Sequence, residues 1–200
     1  MRLLNVRSIR ALAVLTAAFA VASASAGAAP QSKKKNTAPE TFNGKARVAT
    51  GGSIADAYFS VQIDRYTPEK DLKALEQALQ SGGSDGFVAA LKKAPVAGHL
   101  KLGDKTFTIR WARQKPTDKG RVISIVTDAP VYYVGAGVPD AKPKAGFDVA
   151  VAQMTIDTAG LGDGVFALAA KVKPGADNGV EIQDYATEPV KLVSIMKVIS

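Results

Sequence analysis

Apolar and polar residues alternate with period two over much of this chain, and the strongest such stretch is 147–172. It reads as two strands, FDVAVAQMTIDT and VFALAAKV, joined across AGLGDG, whose glycines allow the positive φ angles that hairpin turns use. The first strand alternates Phe147, Val149 and Val151 with Ala150, Ala152, Met154 and Ile156. The second alternates Phe166, Leu168, Ala170 and Val172 with Val165, Ala167 and Ala169. A strand that is apolar on both faces is covered on both. This hairpin is therefore expected at the centre of a mostly antiparallel sheet.

Further strands are expected at KARVAT, AYFSVQIDRYT, VAGHLKL, TFTIRWARQ, RVISIVT, VEIQDYA and VKLVSIMKVI. Phe59, Val61 and Ile63 alternate with Tyr58, Ser60, Gln62 and Asp64, the mark of a strand with one wet face. In TFTIRWARQ, alternation puts Phe107, Ile109 and Trp111 together, so Trp111 reads as core. Gly103-Asp104 and Thr117-Asp118-Lys119-Gly120 supply turns, and 135–146 is a loop rich in Gly, Pro and Lys.

Between the second and third strands the period becomes helical. Thr67 is a candidate N-cap, Pro68 takes the first helical position, and Glu69 puts an acid in the first turn. Leu72, Leu75 and Leu79 follow at helical spacing, and Gly82-Gly83 ends the helix. Ser84 or Asp85 caps a second short helix carrying Phe87, Val88 and Leu91, stopped before Pro95. Two helices with one apolar stripe each need a sheet face, and the doubly apolar hairpin offers one. The expected fold class is α+β, a large antiparallel β-sheet of about eight strands, barrel-like or a sandwich, with an inserted pair of short helices. An outer-membrane barrel is set aside, because the inserted helices, the wet early strands and a terminal serine in place of an aromatic all oppose it.

The first residues change the picture of where the protein works. Arg2, Arg7 and Arg10 precede an apolar core over 11–22, and Ala24-Ser25-Ala26 follows as an A-x-A cleavage signal. The expected division is a signal peptide over 1–26, a flexible basic tether over 27–44 and a single α+β domain over 45–200. Export to the periplasm or the medium follows, with no transmembrane span left after cleavage, since the apolar core is shorter than the roughly 20 residues a span needs. The remaining chain of roughly 170 residues is long enough to bury its own core. An exported protein of that size can therefore dispense with cysteine, which this chain lacks entirely. That absence excludes thiol nucleophiles and thiolate metal sites.

The net charge is +8. Three positives belong to the signal and three to Lys33, Lys34 and Lys35, leaving about two for the rest. Nucleic acid is accordingly not an expected partner. The Lys33–Lys35 run reads as a solvated leader, with contact to anionic lipid or wall polymers as the alternative.

Candidate chemistry is sparse. Gly82-Gly83-Ser84-Asp85-Gly86 matches the G-x-S-x-G of hydrolase nucleophile elbows, but a helix enters it where a strand should, so an interhelical turn is the better reading. His99 is the chain's one histidine and the weak candidate for an acid or base. Nothing adjoins it at metal-ligand spacing, so no metal is expected. The loop DTAGLGDG over 157–164 lacks the ligand ladder and closing glutamate of a calcium loop and reads as a hairpin turn. No glycine-rich phosphate loop occurs, and no cofactor is expected. Arg110 and Arg113, with Tyr132 and Tyr133 beyond Asp128-Ala129-Pro130, form the weak candidate ligand-binding cluster, since arginine forks onto oxyanions and tyrosine gives flat contact area.

A strand leading into a Pro-Glu helix, then GSDGFVAALKKA, WARQ, TDAPV and IQDYATEPVKL, together resemble a family of exported bacterial proteins of unknown function. The resemblance covers nearly all of the chain after the signal. It implies one cooperative domain and carries no catalytic residue across.

The expected function is that of an exported non-catalytic protein binding a small apolar ligand, an envelope component or a protein partner. The alternative is a hydrolase or isomerase using His99 with scattered carboxylates such as Asp64, Asp128 and Glu181. Along the last strand, Val190, Leu192, Met196 and Val198 alternate with Val193, Ile195 and Ile199, which fits burial under the helices and equally the seam of a homodimer.

Overall fold

The computed structural model describes residues 38–50, 53–132, 144–175 and 179–199. Its elements in chain order are β1 (Glu40–Thr50), β2 (Ser53–Ile63), α1 (Glu69–Lys93), β3 (Gly98–Leu102), β4 (Lys105–Thr117), β5 (Gly120–Thr127), β6 (Val149–Asp157), β7 (Leu161–Pro174), β8 (Val180–Tyr185) and β9 (Val190–Lys197). Each strand from β1 to β6 pairs antiparallel with the next, β7 pairs with β9, and β9 returns to β1. Eight strands thus close a barrel, and β8 lies outside the ring on the β7 edge. Closure leaves none of the eight with an open edge, which settles barrel over sandwich. The described residues are mostly β, with a single helical element.

The β6–β7 hairpin is covered on both faces. Ala150, Ala152, Met154 and Ile156 join the barrel interior, while Val149 and Val151 pack under α1. In β7 the simple alternation fails. Val149 pairs with Ala170 but Val151 with Ala167, so β7 carries one extra residue, a bulge. Phe166 and Leu168 point into the barrel, whereas Ala170 and Val172 turn out beneath the helix and do not share their face.

Bulges correct two other expectations. One at Arg110 in β4 sends Ile109 inward and Trp111 outward against α1, so the two are core residues of different layers. Another beside Ser194, at φ 52°, sends Ile195 inward and leaves Met196 exposed. The last strand is not under the helix. Val190, Leu192 and Ile195 close the barrel interior against β1. β1 itself begins at Glu40, so it takes 40–44 out of the expected tether. Phe42, Phe59, Ile123, Met154 and Phe166 fill the interior.

α1 is one element where two helices were expected, with Gly83 non-helical inside it (φ 60°, ψ −155°). A Cβ on Gly86 would stand 2.8 Å from the Ala78 carbonyl oxygen. In a straight helix these residues would be about 12 Å apart. The chain therefore doubles back at Gly83, a conformation glycine reaches without steric cost. Leu72, Leu75 and Leu79 of the outgoing arm and Phe87 and Leu91 of the returning arm bury against Trp111, Val126 and Val149.

Thr67 does not cap the helix. The N-cap is Pro68, with no side-chain cap bond, and Thr67 Oγ1 instead accepts the Ala112 N–H at 2.9 Å. Thr67 N–H donates to the Ala112 carbonyl at 2.8 Å, so the pair pins the helix start to β4.

Candidate functional site

Three groupings of polar side chains stand out on the barrel. The first is buried. Glu40, whose side chain is 0% exposed, points inward from β1 on the same alternation as Phe42. Arg121 at the start of β5 meets it with both terminal nitrogens, Nη1 donating to Oε1 at 2.8 Å and Nη2 to Oε2. Lys197 Nζ lies 2.9 Å from Oε2, and the Tyr66 hydroxyl donates to Oε1 at 2.9 Å. Gln114 Oε1 accepts from Arg121 Nη1 at 2.8 Å, and the guanidinium lies 5.7 Å from the centre of the Phe42 ring. The cluster ties β1, β4, β5 and β9 together at one barrel end.

Burial first, and then the Glu40 charge and hydrogen bond, push the Tyr66 phenol far above its ordinary 10.0. A raised folded value means stability that is whole below pH 10 and lost as pH rises beyond it. In an alkaline titration followed by phenolate absorbance, one of the five tyrosines should stay protonated until the barrel unfolds. Ionisation of all five ahead of unfolding would contradict this placement.

The second grouping is an outer groove of about 450 Å³ crossing β9, β1, β2 and the β3–β4 turn. Asn43, Lys45, Tyr58, Ser60, Lys101 and Met196 line it. Tyr58 is 75% exposed and Met196 56% exposed, and Lys45 Nζ sits 5.6 Å from the Tyr58 ring centre. The floor is Gly44, where a Cβ would stand 2.7 Å from the Phe59 ring. Glycine here lets a core aromatic lie directly beneath the groove. On β7, exposed Leu161 pairs with Met196 and extends the apolar surface.

The third is a smaller cleft of about 230 Å³ on the outer face of β4–β6, bordered by Gly175, Gly179 and Glu181, and it contains Trp111 and Arg113.

The ligand-binding cluster expected from sequence is not assembled among the described residues. Arg110 is used structurally: Nε donates to Asp128 Oδ2 at 2.9 Å, and Nη1 to the Ala94 carbonyl at the C-cap of α1, also at 2.9 Å. Arg113 faces the small cleft, Tyr132 is half-buried after Val131, and Tyr133 lies outside the described residues.

His99 is exposed on β3, opposite Gln62 and Thr108. The carboxylates named with it have other partners: Asp64 accepts from Gln62 at 2.7 Å, Asp128 from Arg110, and Glu181 pairs with Lys173 at 3.4 Å. Ser84 lies within the kinked helix, its Oγ buried without a hydrogen bond. Asp157 Oδ1 accepts the N–H groups of Ala159 and Leu161, each at 2.9 Å, and so closes the β6–β7 turn. No group of three or more acidic or histidine side chains able to hold a metal occurs among the described residues. No described helix is long and apolar enough to cross a membrane.

Sequence reading missed both the Glu40 cluster and the Tyr58 groove. Glu40 sat in a stretch taken for tether, although Phe42, Gly44 and Ala46 continue its alternation. Tyr58 was legible as the wet face of β2, but the lysines and Met196 come from strands far away in sequence. Comparison with family models, curated proteins and solved structures finds no match to this chain.

Proposed function

We propose that this chain is an exported, non-catalytic binding protein that holds a small amphiphile, apolar in its body and anionic at one end, in the outer groove over Gly44. The observation that carries the reading is the exposed Tyr58 and Met196 sharing one cleft with Lys45 and Lys101. A volume of about 450 Å³ falls in the range of roughly 300–1,000 Å³ typical of small-molecule sites. Tyrosine and methionine supply contact area at low ordering cost, and the ammonium groups supply attraction for an anionic head. The barrel interior supports an internal carrier less well, because aromatic and branched side chains occupy it.

Calorimetric titration with dodecanoate tests this. Binding to the unmodified protein should weaken at least about tenfold, or about 1.4 kcal/mol, in Tyr58→Ala and in Lys101→Glu, and stay unchanged in Lys92→Glu on the helix. Both side chains of the test pair are exposed, so neither change threatens the fold. Equal affinities across the set, or no binding, would sink the proposal.

Export is supported by the basic, apolar and small-residue segments of 1–26. In an export-competent bacterium the recovered protein should begin at Gly27. A product retaining the first 26 residues would contradict this.

A further inference from the structure

The small cleft beside β8 is a second candidate site, and its chemistry differs from that of the groove. Trp111 in its wall is 2% exposed, and the indole Nε1–H is buried with no hydrogen-bond partner. A donor shut away from water without an acceptor is costly, and nearly all such groups in folded proteins find one. Trp111 could have avoided the problem as phenylalanine, since its packing against α1 is apolar.

The side chains around it mix donors and acceptors. Arg113 and Lys115 follow Trp111 at alternate positions on the outer face of β4, Ser124 reaches in from β5, and Gln153 from β6. Glu181 of β8, the one acid among the described lining residues, is paired with Lys173. An indole, a guanidinium, an ammonium, a hydroxyl and an amide share one recess of about 230 Å³. Among the described lining side chains only the indole is buried without a partner, and the Arg113 guanidinium shares its recess.

We infer that this cleft binds a small oxyanion, the carboxylate or phosphoryl group of a compact ligand, with Arg113 as its principal partner and the Trp111 N–H as a buried donor behind it. Guanidinium presents paired N–H groups matched to two oxygens of such a group. The volume is too small for the amphiphile assigned to the groove. The indole is closed off from water, so a ligand oxygen reaches it only as the lining side chains part. Occupancy should therefore register on the indole itself.

The chain has one tryptophan, so the full-length protein labelled with nitrogen-15 gives a single indole N–H signal. Sodium acetate and sodium phosphate are titrated separately, at ionic strength held constant with chloride. The expected result is a saturable shift of that signal, with the apparent dissociation constant raised at least tenfold in Arg113→Gln. In Lys92→Gln the constant should not change. Saturation by acetate alone identifies a carboxylate site, and saturation by phosphate alone a phosphoryl site. An indole signal unmoved by either anion, or moved equally in Arg113→Gln with the amide spectrum still native, overturns the inference.

Discussion

Replacing Glu40 with glutamine should destabilise the barrel by about 3–5 kcal/mol, as breaking one side of a buried ion pair does. The carboxylate is wholly buried, and its loss leaves Arg121, only 19% exposed, facing Phe42 and Tyr66 without the Glu40 charge. Lys197 contributes less, because its side chain is 37% exposed and water screens it. Lys197→Gln is therefore expected to cost under about 1 kcal/mol. Denaturant unfolding should order the variants in that way. The double variant Glu40→Gln with Arg121→Met should recover part of the loss, since the buried guanidinium is then gone and the Lys197 ammonium is screened by water. If Glu40→Gln costs no more than Lys197→Gln, the barrel end does not depend on the cluster.

Phe87→Ala should cost about 3–5 kcal/mol, the range for emptying a large aromatic site in a packed core. Phe87 is 0% exposed and lies with Trp111, Val149 and Ala170 in the layer between α1 and the barrel. It belongs to the returning arm, which the turn at Gly83 folds onto the outgoing one. Since Trp111 sits under that arm, its fluorescence should redden in the variant even before global unfolding. A loss below about 1 kcal/mol would mean that the site collapses around the cavity or that the arm is not docked as described.

The two effects also mark where sequence was readable. The doubly apolar β6–β7 hairpin and the turn at Gly83 follow from local periodicity and glycine placement, and the structure has both. What escaped were the bulges at Arg110, in β7 after Ala167 and beside Ser194. Each adds one residue to a strand and inverts every face beyond it, and no residue type marks it in advance. That is why Trp111 read as a neighbour of Ile109, and Met196 as a neighbour of Leu192. Glu40 escaped for another reason: a carboxylate beside Pro39 looks solvated until Arg121, distant in sequence, is brought onto it. The groove could be seen only once β9 had closed onto β1.

The central claim is that ligand sits on the outside of a packed barrel. The most direct measurement is a map of amide and methyl shifts during titration with dodecanoate. The account predicts changes at Lys45, Tyr58, Lys101 and Met196, with Phe42, Ile123 and Met154 of the interior unmoved. Changes concentrated on those interior residues would contradict it and place the ligand inside the barrel.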